Sequence, residues 1–175
     1  GVITRTDLLN VLVRSRRDST GKTGGALQET SRPRTRNVKK FLGERLSKRL
    51  QELLQSMAEI AQELGCNAYV VGGFVRDLFL YRSNEDVDIV VEGDGIAFAR
   101  EYAARFNARI HAHAKFGTAV IIFPDGYKVD VASARMEYYR APASLPEVEM
   151  SSIKLDLFRR DFTINTLAIQ INPKQ

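Results

Sequence analysis

The run Asp86-Val87-Asp88-Ile89-Val90-Val91 alternates acids with aliphatic residues before becoming wholly apolar. Successive side chains of a strand leave on opposite faces, so Asp86 and Asp88 share one face while Val87 and Ile89 point into a core. A strand of this kind demands a sheet covered on one side and open on the other. Two neighbouring aspartates repel each other and cost stability unless a cation sits between them. Hard divalent ions with oxygen ligands suit such a pair, and Mg²⁺ keeps open positions for phosphates. A bare D-x-D also occurs as a solvated strand end, so the pair alone does not choose between these readings.

The rest of the chain supplies a frame for that strand. Residues 1–17 read as a short strand, Gly1 to Thr4, followed by a helix whose apolar face needs a partner from outside the chain. Residues 18–37 hold Ser, Thr, Gly, Arg and Pro with almost no large apolar residue, the composition of a flexible basic linker. From Val38 onward the chain reads as one domain, 38–175. A helical stripe runs from Leu42 to Leu64 and stops at Gly65. A strand over 68–71, a helix through Leu80, the strand 86–91, a helix over 94–106 and a strand over 108–112 follow. A hairpin pairs 119–123 with 128–132 across Pro124-Asp125-Gly126, and a last helix covers 155–169. Strands interleaved with helices and closed by a hairpin predict an α/β (α+β) fold, a small mixed sheet with helices on one face.

Charge divides the same way. Residues 1–50 hold 13 Lys+Arg and 4 Asp+Glu, a balance of +9; residues 51–175 hold 13 and 17, a balance of −4. The compact part is mildly acidic. An acidic domain acting on nucleotides gathers carboxylates to hold metal ions, whose charge reverses the local field. One cysteine, Cys66, excludes a disulfide framework, and no apolar run approaches a membrane span. The expectation is a soluble, cytoplasmic protein with no membrane partner; its oligomeric state is not legible.

Three constellations carry chemistry. Asp130 sits within the hairpin strand between Val129 and Val131; if that strand lies beside the one bearing Asp86 and Asp88, three carboxylates converge on a two-metal site. Gly72-Gly73-Phe74-Val75-Arg76-Asp77 lies where a strand turns into a helix. Glycines there let the backbone approach a phosphate, the helix start offers free N–H groups, and Arg76 adds a charged contact. In Asp156-Leu157-Phe158-Arg159-Arg160-Asp161-Phe162-Thr163-Ile164-Asn165, a helix places Asp161 and Asn165 on one face with Arg160 beside them, while Leu157, Ile164 and Ala168 form a core stripe. Gly21-Lys22-Thr23 is not a P-loop, because Arg16 stands where its first glycine belongs. His111 and His113 lack an accompanying acid or cysteine, and one is expected to face solvent while the other packs.

In order and spacing, G-G-F-V-R-D, D-V-D-I-V, V-D-V-A-S-A-R-M-E-Y-Y and D-L-F-R-R-D-F-T-I-N-T-L-A resemble the head domain of bacterial CCA-adding, A-adding and poly(A) polymerases over residues 68–170. The resemblance implies a polymerase-β-like nucleotidyltransferase head. It implies Asp86, Asp88 and Asp130 as catalytic metal ligands for two Mg²⁺ ions. It also implies Gly72, Gly73 and Arg76 around the triphosphate of ATP, with Arg159, Arg160, Asp161 and Asn165 along the nucleotide. Arg135 and Glu137 match the family as well. The implied reaction joins AMP, or also CMP, to the 3′ end of tRNA or another RNA with release of pyrophosphate. Residues 1–9 resemble the tail of a CBS module, whose matching threonine and aspartate are Thr4 and Asp7. The base-reading helix of the family and its RNA-gripping body and tail are expected beyond Gln175. Two other readings compete, a non-catalytic adenine-nucleotide sensor and a small-molecule nucleotidyltransferase. The complete carboxylate set argues against the first and the Arg-Arg-Asp block against the second.

Overall fold

The computed structural model describes residues 2–3, 37–138, 147–160 and 162–172, with the backbone alone described at 2–3, 136–138 and 147–149. Its elements in chain order are β1 (Val2–Ile3), α1 (Lys39–Arg45), α2 (Lys48–Glu63), β2 (Asn67–Val71), α3 (Gly72–Phe79), β3 (Val87–Glu92), α4 (Gly95–Arg105) and β4 (Arg109–His113). These are followed by β5 (Thr118–Ile122), β6 (Lys128–Ser133), β7 (Arg135–Tyr138), β8 (Glu147–Met150), α5 (Ile153–Phe158) and β9 (Ala168–Gln170). Seven strands form one sheet in the order β1-β9-β2-β3-β6-β5-β4, and β7 pairs with β8 apart from it. The β3–β6 pair is parallel and the other ladders are antiparallel. The sheet is therefore mixed.

Alternation sorts the strand residues onto two faces. Ala68 and Val70 of β2, Val87, Ile89 and Val91 of β3, and Val129 and Val131 of β6 join one large core with Leu50, Leu53, Met57 and Ile60 of α2 and Phe98 and Tyr102 of α4. The helices covering this face start on side-chain caps: Ser47 Oγ accepts from Leu50 N, and Asp94 Oδ1 accepts from Ile96 N and Ala97 N. At the start of α4 a Cβ on Gly95 would come within 2.8 Å of Ser133 N, so only glycine lets that helix lie so close to β6. On the opposite face Tyr69, Val71, Val90 and Ala168 pack under Ile153 and Leu157 of α5. Glu92 ties this small helix to the sheet by accepting from Ile153 N at 2.7 Å and from Asn67 Nδ2 at 2.9 Å. The remainder of that face is not covered by a described helix.

Several elements differ from their sequence-based expectation. The first stripe breaks into α1 and α2 because Leu46 turns extended (ψ 143°) and Ser47 caps a new start. The last helix ends at Phe158 instead of continuing to 169. Arg159 and Arg160 fold back onto Asp156, Thr166 Oγ1 bonds the Thr163 carbonyl in a 3₁₀ turn over Thr163–Asn165, and Ala168–Gln170 is taken up by β2 as a strand partner. Asn165 thus lies on a 3₁₀ turn, Ile164 is exposed, and Ala168 is buried from a strand. His111 and His113 share a face, as residues two apart on a strand must, and both are exposed with ring centroids 4.5 Å apart. Strand β1 pairs with β9 of this chain. The helix expected after it, the linker over 18–36 and Asp161 lie outside the described residues.

Candidate active site

The parallel ladder sets Asp88 of β3 directly against Asp130 of β6. Neighbouring strands lie ~4.8 Å apart, so these two side chains leave the sheet side by side on the face opposite the main core. Asp86 stands exposed just before β3, its N–H bonded to Asn84 Oδ1 at 2.8 Å. The carboxylates press on one another. Burial first, then the charges of Asp86 and Asp130, push the Asp88 carboxyl up to about 6, with the Arg160 guanidinium pulling the other way. Burial and Asp86 likewise raise Asp130, against the pull of Lys128. At both aspartates burial and mutual repulsion outweigh the pull of the nearby cations. Its donors are carboxylate oxygens, hard ligands suited to Mg²⁺. Among the described residues no three His, Cys, Asp or Glu side chains already converge on a single metal-binding point, so the carboxylates form an open rim, not a closed cage.

At the edge of this rim the chain turns from β2 into α3. Gly72 has φ +70°, a left-handed conformation that glycine adopts at little cost, and its N–H bonds the Leu167 carbonyl at 3.1 Å. A Cβ built on Gly72 would stand 3.5 Å from Arg160 Nη1 and 3.7 Å from Asp88 Oδ2. The guanidinium and the carboxylate thus both flank a stretch of backbone with no side chain, next to the first turn of a helix. One from Gly73 would lie 3.6 Å from Arg76 Nη2, so that glycine leaves room for the arginine.

Arg76 joins two of the constellations. Its Nη1 donates to Asn165 Oδ1 at 2.9 Å, while Nε and Nη2 donate to both oxygens of Asp77 at 2.8 and 2.9 Å. Asp77 is 8% exposed and also accepts from Asn84 Nδ2 at 2.8 Å. The Arg76 and Asn84 hydrogen bonds hold its carboxyl down at about 2. Asp156, only 1% exposed, plays the matching part for the other two arginines. Arg159 Nη2 donates to its Oδ1 at 2.8 Å and Arg160 Nη2 to its Oδ2 at 3.1 Å. Asp77 and Asp156, which hold these arginines, are left without a role by the motif reading. Asp156 had a legible signal, because an acid three and four residues before two arginines lies on their side of a helix.

A separate concavity lies elsewhere. A cavity of about 530 Å³ between α2, α4 and the β5–β6 hairpin is lined by Arg49, Ser56, Tyr102, Phe106 and Tyr127 among others. It lies on the helix side of the sheet and holds none of the carboxylates described above. The charged face is the better candidate, since among the described residues it alone combines paired acids, clamped arginines and a glycine turn.

Residues 68–175 match the family described as the poly(A) polymerase head domain. Over 172 residues, 98% of this chain, it is 49% identical to the A-adding tRNA nucleotidyltransferase of Geobacter sulfurreducens. The structure of a CCA-adding enzyme in an apo form superposes with a TM-score of 0.74 at 47% identity over 79% of this chain. The Thermotoga maritima CCA-adding enzyme complexed with tRNA superposes at 0.67 with 43% identity over the same share. The chain spans 20% of the length of the Geobacter protein and 32% and 30% of the two solved chains. Among the described residues no helix is long and apolar enough to cross a membrane.

Proposed function

Because the chain belongs to the family of poly(A) polymerase head domains, we propose that it is the catalytic head of an enzyme adding AMP from ATP to the 3′ end of tRNA. The A-adding relative favours AMP over CMP. The observation that carries this reading is the Asp88–Asp130 pair on one open sheet face, with Arg160 beside Asp88 over the Gly72 turn. Asp86, Asp88 and Asp130 would hold two Mg²⁺ ions on this open rim. Bound there, the ions supply Lewis-acid stabilisation of the phosphoryl oxygens and favour loss of the proton from the attacking hydroxyl.

The chain's own residues orient the reactants. The amides of Gly73 and the residue after it, in the first turn of α3, donate to phosphate oxygens, while the Gly72 N–H stays bonded to Leu167. Arg160 and Arg159, with Asp156 fixing their directions, balance the triphosphate charge. Arg76 and Asn165, hydrogen-bonded to each other, border the nucleotide, and the family resemblance assigns Asp161 a part in binding it. The RNA 3′-hydroxyl oxygen attacks the α-phosphorus, its proton is lost, and the bond to the bridging oxygen breaks. The electron pair leaves with pyrophosphate.

These groups act on phosphates and sugars common to every nucleoside triphosphate. The test is calorimetric titration of ATP, CTP, GTP and UTP, each with Mg²⁺, into this chain and into its Asp88→Asn and Asp130→Asn variants. Four similar affinities are expected, each weakened about tenfold or more by either substitution, since metal-linked phosphate binding is lost. Equal binding with and without Mg²⁺, unchanged by both substitutions, would overturn the metal site. Strong ATP selectivity would place base reading inside the head.

A further inference from the structure

Three helices of the head are followed by a residue with a left-handed backbone, and one of the three is anomalous. After α2 comes Gly65 (φ 66°) and after α4 comes Asn107 (φ 49°), the two residue types that tolerate this conformation best. After α3 comes Tyr81 (φ 60°). An aromatic residue is strained there, and burial does not offset the strain, because Tyr81 is 69% exposed. Its ring is instead built into a surface cluster. The Arg45 guanidinium carbon lies 3.5 Å from the ring centroid, Phe41 meets the ring edge-on at 6.4 Å, and Phe41 stacks on Phe79 at 5.2 Å.

We propose that Tyr81, backed by Arg45, is a stacking platform for an unpaired base near the 3′ end of the RNA substrate; this rests on the nucleotidyl-transfer reading above. Position and charge support RNA as the occupant. Tyr81 lies five residues before Asp86, a separation of at most about 18 Å. The intervening chain is pinned: Arg82 N bonds the Asp77 carbonyl, Asn84 bonds the Asp77 carboxylate, and Asp86 N bonds Asn84. A base on Tyr81 would therefore keep a defined reach to the carboxylate rim. Arg45 lies over the ring and exposed Arg82 follows it, α1 adds Lys39 and a Lys40–Glu44 pair, and exposed Glu85 is the acid of the same loop. An aromatic face beside guanidinium and ammonium groups is the combination that takes a base and its phosphate, tolerantly of sequence and sensitively to salt.

The test measures binding of a 5′-labelled, unstructured oligoribonucleotide to the 175-residue chain by fluorescence anisotropy, together with thermal melting and Mg²⁺-ATP titration of the same samples. Tyr81→Phe keeps a ring and is expected to bind RNA within about twofold of the parent. Tyr81→Gly and Tyr81→Asn suit the left-handed backbone but remove the ring, and should weaken RNA binding by about fivefold or more. Their melting temperature should stay the same or rise. RNA affinity unchanged in the Gly and Asn variants overturns the platform. So does a fall in melting temperature with intact RNA binding, which would mark the cluster as packing or a protein-docking surface. Failure of the parent chain to bind RNA also overturns it. The Mg²⁺-ATP titration then decides separately whether the nucleotidyl-transfer reading stands.

Discussion

Ile89 and Asp88 are neighbours on β3, and their side chains leave toward opposite surroundings. Ile89 is 1% exposed among the aliphatic residues of the main core. Asp88 is half-buried among Asp86, Asp130 and Arg160, with its carboxyl pushed up to about 6. The helix-covered face releases free energy as it forms, through burial of apolar surface. The other face sets carboxylates side by side where burial and mutual repulsion outweigh the pull of Arg160 and Lys128, a combination that suits a cation. The contrast teaches where stability and function reside in one strand, and it can be tested by substituting the two residues separately.

The largest effect is expected on the packed face. Ile89→Ala removes buried methyl groups from a closely packed core and should cost about 3–4 kcal/mol in urea unfolding, with Mg²⁺-dependent ATP binding retained where the chain remains folded. A loss below about 1 kcal/mol would mean that the core can collapse around the gap. On the open face the sign reverses. Asp88→Asn removes a charge that the folded chain holds unfavourably, and should raise stability at pH 7 by up to about 2 kcal/mol while weakening Mg²⁺-dependent ATP binding. A destabilised Asp88→Asn variant would mean that Arg160 already compensates the carboxylate fully.

The smallest effect is a pH dependence. The folded chain holds the Asp88 proton up to about 6, whereas an unfolded chain releases it near the ordinary aspartate value. An ionised Asp88 therefore costs stability above pH 6, and that cost is relieved as pH falls from about 6 toward 4. Divalent binding needs the ionised form, so Mg²⁺ affinity measured by calorimetry should hold above pH 6. Below it, affinity should fall by up to about tenfold per unit, and this extra loss should be absent in Asp88→Asn. A flat profile from pH 5 to 8 would remove Asp88 from the metal site.

Much of the architecture was legible because local rules act where it forms. Alternation identified β3, β5 and β6, the Gly65 stop marked the end of α2, and Asp94 announced the start of α4. The break at Leu46-Ser47 was missed because the apolar stripe continues across it, and only the cap geometry interrupts it. The last segment was misread for a different reason. Its helical period is real as far as Phe158, but Ala168–Gln170 pairs with β2, and a partner 97 to 101 residues earlier in the chain leaves no local mark.

The sequence by itself determined which residues could do the chemistry: two aspartates on one face of a strand, a third in a hairpin, a glycine turn and two arginines. Backbone geometry forces those choices, since alternation and glycine conformation are properties of the local chain. Tertiary structure alone decided how they combine. The parallel β3–β6 ladder set Asp130 against Asp88, and α5 on the open face brought Arg160 over Gly72. Buried Asp77 and Asp156 acquired their roles in the same way, the first by clamping Arg76 where it meets Asn165 and the second by aiming Arg159 and Arg160. The difference is physical. The separation of charged groups along a chain says little about their distance in space, and it is distance and burial that set how strongly they interact.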